Sequence, residues 1–236
     1  MIVTVIIPIY NEKTSLSLLL SEVLAADTSP YKKEILIVDD GSTDGSSEIM
    51  DTSILRDPRI TIFHHPSNIG KAAAIKTGLQ AAKGDIILIQ DGDLEYSPHD
   101  YPRLLAPFSD PAVEAVYGSR FLGTFWPANM QAANWVANRI FTGTVNLLYR
   151  SHITDEGTAY KAFRRKTLVE LGIESSGFEF CPEVTSKILK KGIKIIEVPI
   201  SYKARTRSEG KKPGIFDGLK ILWTIIKCRF RKQKSS

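Results

Sequence analysis

The chain is predicted to form one α/β domain, a mostly parallel sheet flanked by helices. Two observations lead there. Three short apolar runs, residues 3–9, 34–38 and 86–90, are each of strand length and each stop at polar, ligand-capable side chains. Helix-length segments separate them, the alternation that a parallel sheet with one binding edge requires. With 236 residues and 43% hydrophobic content, the chain can bury one good core.

Taken in order, residues 3–9 read as a strand and 14–26 as a helix, followed by a strand at 34–38. A helix begins at 46–50, with Thr43 and Ser46 as its expected caps. A short strand is expected at 60–64. The alanine-rich stretch 71–83 reads as a helix, and 86–90 as the central strand. A short helix over 98–107 and a strand at 115–118 follow. Residues 129–149 carry Trp135, Val136, Ile140, Val145 and Leu148 at helical spacing. A strand at 158–163, a helix at 182–190 and a strand at 193–199 complete the domain, expected to span 1–214. Residues 215–236 are expected to form an amphipathic helix with a basic tail, its apolar face made of Leu219, Leu222, Trp223, Ile226 and Phe230.

The central strand ends in Asp91-Gly92-Asp93, with Glu95 close behind. Two carboxylates so placed repel each other, and a divalent cation that bridges them to an anion such as a diphosphate would relieve that cost. Gly92 is expected to let the backbone turn tightly enough for both to converge. An Asp-Gly turn that merely caps a strand is the plain alternative. Further strand-end clusters, Tyr10-Asn11-Glu12 and Asp39-Asp40 with the Gly-Ser-Thr run behind them, favour a site.

Charge is unevenly distributed. From Lys203 to Ser236 there are 11 Lys or Arg against 2 Asp or Glu, a net +9, which leaves residues 1–202 at −4. A basic amphipathic helix suits an anionic membrane surface, and packing on the domain is its alternative. No nucleic-acid motif accompanies the charge. No window of about 18 uncharged apolar residues is present, and no basic-then-apolar leader precedes the first strand. Cys181 and Cys228 lack metal-type spacing and read as reduced thiols. These features predict a cytoplasmic, peripherally membrane-associated protein.

The motifs PIYNE, EILIVDDGSTDGS, SNIGKAAAIKTGLQAAKGD, DGDLEYSP, VYGSRF, ITDEGTAYKAFRR, FEFCPEVTSKI and EVPISYKARTRSEGKK occur in this order. Together they resemble the family 2 glycosyltransferases of the GT-A fold, a Rossmann-like sheet, and within them the dolichyl- and polyprenyl-phosphate mannose or glucose synthases. The resemblance implies an inverting, metal-dependent transfer of a hexose from a nucleotide diphosphate sugar to a polyprenyl phosphate. It implies that Asp91, Asp93 and Glu95 hold Mg²⁺ or Mn²⁺, and that Pro8, Tyr10, Asn11, Glu12, Asp39, Asp40, Lys71 and Asp91 line the nucleotide-sugar pocket. Arg120, Arg139 and Arg205 would grip the acceptor phosphate, for which guanidinium is suited. An ionised phosphate acceptor needs no strong base. A glycan hydroxyl would, and Asp155 or Glu156 would supply it. Lys71 directly after Asn68-Ile69-Gly70 resembles the glucose synthases more than the mannose ones, which leans toward UDP-glucose among UDP- and GDP-hexoses.

Other readings are weighed against this one. A sugar nucleotidyltransferase would want a glycine-rich loop after the first strand, where PIYNEKTS has no glycine. A processive polysaccharide synthase would bring membrane spans and a Gln-x-x-Arg-Trp motif. A transferase acting on a glycan in cell-envelope synthesis, a non-catalytic nucleotide-sugar-binding module and docking on an integral membrane partner stay open.

Overall fold

The computed structural model describes residues 1–50, 57–205 and 215–231. One seven-stranded sheet runs in the order β3-β2-β1-β4-β6-β5-β7. Its strands are β1 (Ile2–Ile9), β2 (Lys32–Asp39), β3 (Ile60–His64), β4 (Ile86–Ile89), β5 (Ala115–Ser119), β6 (Lys161–Arg164) and β7 (Ile195–Pro199). All pairings are parallel except those of β6, which runs antiparallel to both β4 and β5. Because β6 reverses between them, β5 and β7 point the same way as β1 to β4. The carboxyl ends of six strands and the start of the seventh therefore share one edge.

Two apolar layers cover the sheet, as the alternation of side chains along each strand requires. Val3, Val5, Ile7 and Ile9 face α1 (Lys13–Ala25), which buries Leu16, Leu19, Leu20 and Val23 at one-turn intervals. Ile6, Ile87 and Ile89 face the other way, onto the layer that holds Ala72 and Ile75 of α3 (Lys71–Ala81) and Val184 and Ile188 of α7 (Phe180–Lys190). The long helix α5 (Ala132–Tyr149) is continuous.

Four expectations change in detail. The helix start at α2 (Ser46–Met50) is held by Asp44, whose Oδ1 accepts from the Ser46 amide at 2.9 Å, while Ser46 Oγ accepts from the Glu12 amide. The 98–107 helix is two 3₁₀ turns around a short α4 (Tyr101–Leu105), because Pro98, Pro102 and Pro107 each remove an amide donor. The 158–163 strand starts only at Lys161, and α6 (Arg165–Glu170) follows it without a sequence signal.

The fourth is α8 (Ile215–Phe230). It packs on α5 and α7 through Ile221 and the buried Ile225, and Tyr149 donates to the Ile225 carbonyl at 2.8 Å. Lys190 closes its carboxyl end by donating to the carbonyls of Cys228 and Arg229 at 2.8 and 3.1 Å. Leu219, Trp223, Ile226 and Phe230 of the expected apolar face are left exposed. The helix is apolar around most of its circumference, so periodicity alone picked the stripe that the domain does not cover. The expected boundary at 214 and the tail beyond 231 lie outside the described residues. Cys181 and Cys228 are both free thiols.

Candidate active site

The loops after β1 and β2 are stitched together at the shared edge. Asn11, in left-handed backbone at φ 56°, donates its amide to Ser42 Oγ at 3.0 Å and accepts from the Thr43 amide at 2.8 Å. Lys13 donates its amide to Asp44 at 3.0 Å. Asp39 is buried and accepts from the Ser42 amide and Ser47 Oγ, while Asp40 accepts from the Ile69 and Gly70 amides at 3.1 and 2.7 Å. Thus Asp39 folds its own loop and Asp40 pins the loop that leads into α3. Tyr10 stands exposed above them. Gly70 has φ 105°, and a β-carbon there would collide with the Ser176 carbonyl, so no side chain fits.

Lys71, the first residue of α3, is thereby aimed at the end of β4, where it pairs with Asp91. Burial works against the ammonium, but Asp91 outweighs it and holds Lys71 above its ordinary pKa. Gly92 serves by smallness: a β-carbon there would lie 2.7 Å from Ile9 Cδ1 and 3.2 Å from the Pro8 carbonyl oxygen. Asp93 turns the other way. It accepts from the Glu95 amide at 3.1 Å and faces Arg205 Nη2 at 3.6 Å, and Arg205 bonds Glu12 Oε2 at 2.6 Å.

The expected triad of Asp91, Asp93 and Glu95 is not drawn into one cluster. Glu95 spends one oxygen on the Tyr202 hydroxyl at 3.0 Å and the other on the Arg205 amide at 2.7 Å. Among the described residues no three carboxylate, imidazole or thiol groups stand close enough to hold a metal. The repulsion between carboxylates is relieved here by Lys71 and Arg205. Asp91 and Asp93 would offer hard carboxylate oxygens of the kind that Mg²⁺ or Mn²⁺ takes. Glu95 instead fixes the 202–205 segment.

Arg120 and Asp155 engage each other. Arg120 donates through Nε and Nη2 to the two Asp155 oxygens, both at 2.7 Å, and through its amide at 3.0 Å. Asp155 is fully buried and Arg120 is 8% exposed. The Asn138 amide, oriented to satisfy both, donates to Asp155 at 3.2 Å and accepts from Arg120 at 2.6 Å. This differs from the roles expected from sequence: Arg120 is occupied, and Asp155 offers no face to an acceptor hydroxyl. Glu156, the other expected base, is also buried. Burial, tempered by Lys161, pushes its pKa up to about 7, and its Oε1 has no partner. Arg139 lies over the Phe121 ring at 4.0 Å and the Trp135 ring at 5.3 Å, with its Nε buried and unbonded.

Sequence reasoning missed the supports. His65 bridges Asp40 at 2.7 Å and Thr77 at 2.9 Å. Glu197 accepts from the Thr154 and Asp155 amides and so holds the 154–156 loop. Gln90 Oε1 accepts from Tyr101 and Tyr160 at 2.8 and 2.6 Å. Only His65, in the His64-His65 pair ending β3, carried a signal, since it too falls at a strand's carboxyl end.

The glycosyl transferase family 2 model matches residues 4–172. The chain belongs to glycosyltransferase family 2. This glycosyltransferase is 32% identical to an undecaprenyl-phosphate mannosyltransferase of Micrococcus luteus, over 90% of this chain and 88% of that one. It is 31% identical to a polyprenol monophosphomannose synthase of Mycolicibacterium smegmatis, over 89% and 80%. Its GT-A fold is shared with glucosyl-3-phosphoglycerate synthase of Mycobacterium tuberculosis, solved with Mn²⁺ and UDP, at TM-score 0.72 and 16% identity over 96% of this chain and 78% of that one. A mannosyltransferase of Pyrobaculum calidifontis with GDP-Man and Mn²⁺ aligns at TM-score 0.63 and 22% identity, over 96% and 69%.

Proposed function

We propose that this glycosyltransferase moves a hexose from a UDP- or GDP-sugar to a polyprenyl phosphate, with inversion, at the cytoplasmic face of a membrane. The observation that carries the reading is the interleaving of Glu12, Asp91 and Asp93 with Lys71 and Arg205 at the carboxyl edge of the sheet. A diphosphate there meets Lys71 already in place, with Arg205 beside it for the acceptor phosphate, and its departure calls for such charge. A divalent ion on Asp91 and Asp93 would neutralise the diphosphate further. Lys71 would then turn from Asp91 to the diphosphate, and Arg205 from Glu12 and Asp93 toward the acceptor phosphate. Pro8, Tyr10, Asn11, Glu12, Asp39 and Asp40 frame the nucleotide, with Asp39 and Asp40 acting mainly by holding loops. The relatives' polyprenyl-phosphate acceptors support the acceptor class.

The acceptor side is read from what is missing at the two expected bases. Asp155 and Glu156 are both buried, which favours an acceptor that arrives ionised over a glycan hydroxyl. Arg139 and Arg205 are the proposed phosphate contacts, and Arg120 braces the loop beside them.

The test combines UDP- and GDP-hexoses with a polyprenyl phosphate and Mn²⁺ or Mg²⁺ and follows the lipid product. Product from one donor, lost on EDTA treatment and in Asp93→Ala while that variant keeps its melting temperature, is the expected result. Turnover that survives both treatments refutes the metal role, and transfer to glycans alone refutes the acceptor.

A further inference from the structure

We infer that α5 and α8 together form a two-helix face that beds into an anionic lipid surface, with α5 contributing as much of it as the carboxyl-terminal helix. This rests on the reading of a lipid-phosphate acceptor and specifies how the enzyme meets the bilayer.

The two helices lie side by side and run the same way. Phe141 of α5 abuts Gly218 of α8, and eight residues further along α5, Tyr149 reaches the Ile225 carbonyl and the Arg229 guanidinium. Each helix spends one flank on the core, through Thr142 and Val145 in α5 and through Ile221 and Ile225 in α8. Each leaves a second apolar stripe uncovered. In α5 this is Val136, Ile140 and Leu147, the last 81% exposed. In α8 it is Leu219, Trp223, Ile226 and Phe230, with Trp223 at 64% and Phe230 at 74%. The spacings, 136-140-147 and 219-223-226-230, are those of one helix face, and each stripe runs about 16 Å along its axis. The polar flank of Lys220, Thr224, Lys227 and Cys228 lines a groove against α7; of the stripe on α8, Trp223 also borders that groove, and Leu219, Ile226 and Phe230 do not.

Charge identifies the occupant. Residues 132–150 and 218–231 contain six Lys or Arg and no Asp or Glu. Arg150, Lys220, Lys227, Arg229 and Arg231 are exposed around the stripes. An apolar strip with a rim of one sign suits the boundary between acyl chains and anionic headgroups. At the amino end of α5, the exposed rings of Phe125 and Trp126 pack on Trp135 at 5.1 and 5.3 Å, aromatics of the kind that sit at headgroup level. Arg139 lies against that same Trp135, and Asn138 touches the Arg120–Asp155 pair. One helix thus borders the reaction edge on one side and the lipid on the other, a short path for a headgroup whose tail stays in the bilayer.

The test is co-sedimentation with vesicles of equimolar phosphatidylglycerol and phosphatidylcholine, free of polyprenyl phosphate, at low and high salt. Ile140→Asp with Leu147→Asp tests α5, and Trp223→Asp tests α8; all three positions are exposed and outside the site. Each variant should bind vesicles roughly tenfold or more weakly than the wild type while keeping its melting temperature and nucleotide-sugar affinity. Wild-type binding should fall at high salt and on phosphatidylcholine alone. If the α5 variant sediments like the wild type, α8 acts alone and the inference fails. It also fails if the wild type ignores vesicles, or if the same substitutions instead dissolve a dimer seen by sedimentation velocity. Vesicle binding without transfer to polyprenyl phosphate would sink the acceptor reading and leave the lipid face standing. Transfer to a detergent-solubilised acceptor without vesicle binding would do the reverse.

Discussion

Replacing Arg120 by alanine separates a brace from a phosphate clamp. The guanidinium is nearly buried, the Asp155 carboxylate fully so, and three bonds of 2.7 to 3.0 Å join them. Burial opposes the charge on Arg120, but Asp155 outweighs it and holds the guanidinium charged. Removing one member of such a pair strands the other without solvent and costs about 3–5 kcal/mol. In a domain of this size each kcal/mol shifts the melting temperature by roughly 2–4 °C, so Arg120→Ala should melt about 6–20 °C lower. Arg120→Ala combined with Asp155→Ala removes the stranded charge, and its loss should be smaller than the sum of the single losses by about 0.5–3 kcal/mol. Thermal unfolding by circular dichroism reads all three variants, and donor titration shows whether the nucleotide side survives. A variant Arg120→Ala that melts with the wild type, keeps its donor affinity and loses affinity for polyprenyl phosphate would refute the brace and return Arg120 to the acceptor.

The remaining predictions concern the titration of Glu156 and the charge of Lys71. Glu156 has its pKa raised from 4.5 to about 7, first by burial, with Lys161 opposing and Asp155 reinforcing. The fold keeps a proton that the unfolded chain releases, so this group costs stability as pH rises from 4.5 through 7, by about 3 kcal/mol in full. Glu156→Gln should therefore melt close to the wild type near pH 4.5 and above it at pH 8; parallel melting profiles across that range would disprove the assignment. Lys71→Met should lower kcat/KM for the donor by roughly 10- to 100-fold, the worth of a charge-assisted bond to phosphate. The same variant should bind Mn²⁺ more tightly than the wild type when no donor is present, because Asp91 loses its competitor; calorimetry showing unchanged or weaker Mn²⁺ binding would contradict that.

What the sequence displayed were features that repeat or end abruptly. The strands at 3–9, 34–38 and 86–90 were legible because buried parallel strands are short apolar runs, and the candidate site because those runs are followed by Asn11, Asp39 and Asp91. Partnership was not legible. Asp155 and Glu95 have the same chemistry as Asp91 and Asp93, and only the fold shows that Asp155 is closed off by Arg120 and that both Glu95 oxygens are taken. The contacts involved join residues far apart in the chain, 35 positions in one case and 107 in the other, beyond any local pattern. The side of α8 that meets the domain was not legible for a different reason. A helix with two apolar stripes has no single direction in its sequence, and the choice between them is made by α5 and α7.

Two aspartates at the end of β4 pose an electrostatic problem that two sets of partners can solve, and the structure holds the solution made by the protein's own cations. Lys71 on Asp91 and Arg205 between Glu12 and Asp93 neutralise the carboxylates and keep the edge folded. Each cation is carried on an element anchored elsewhere, Lys71 by the Asp40 bonds to Ile69 and Gly70, Arg205 by the Glu95 bond to its own amide. Their backbones can therefore stay in place while their side chains exchange partners. On the proposed metal and donor roles, a metal ion competing with Lys71 for Asp91 would be disfavoured until a diphosphate draws the lysine away, and a diphosphate would be held poorly until the carboxylates are neutralised by something other than Lys71. Each ligand would then relieve the obstacle to the other, so on this reading the two should bind with positive coupling, and linkage requires the gain in donor affinity on adding metal to equal the gain in metal affinity on adding donor.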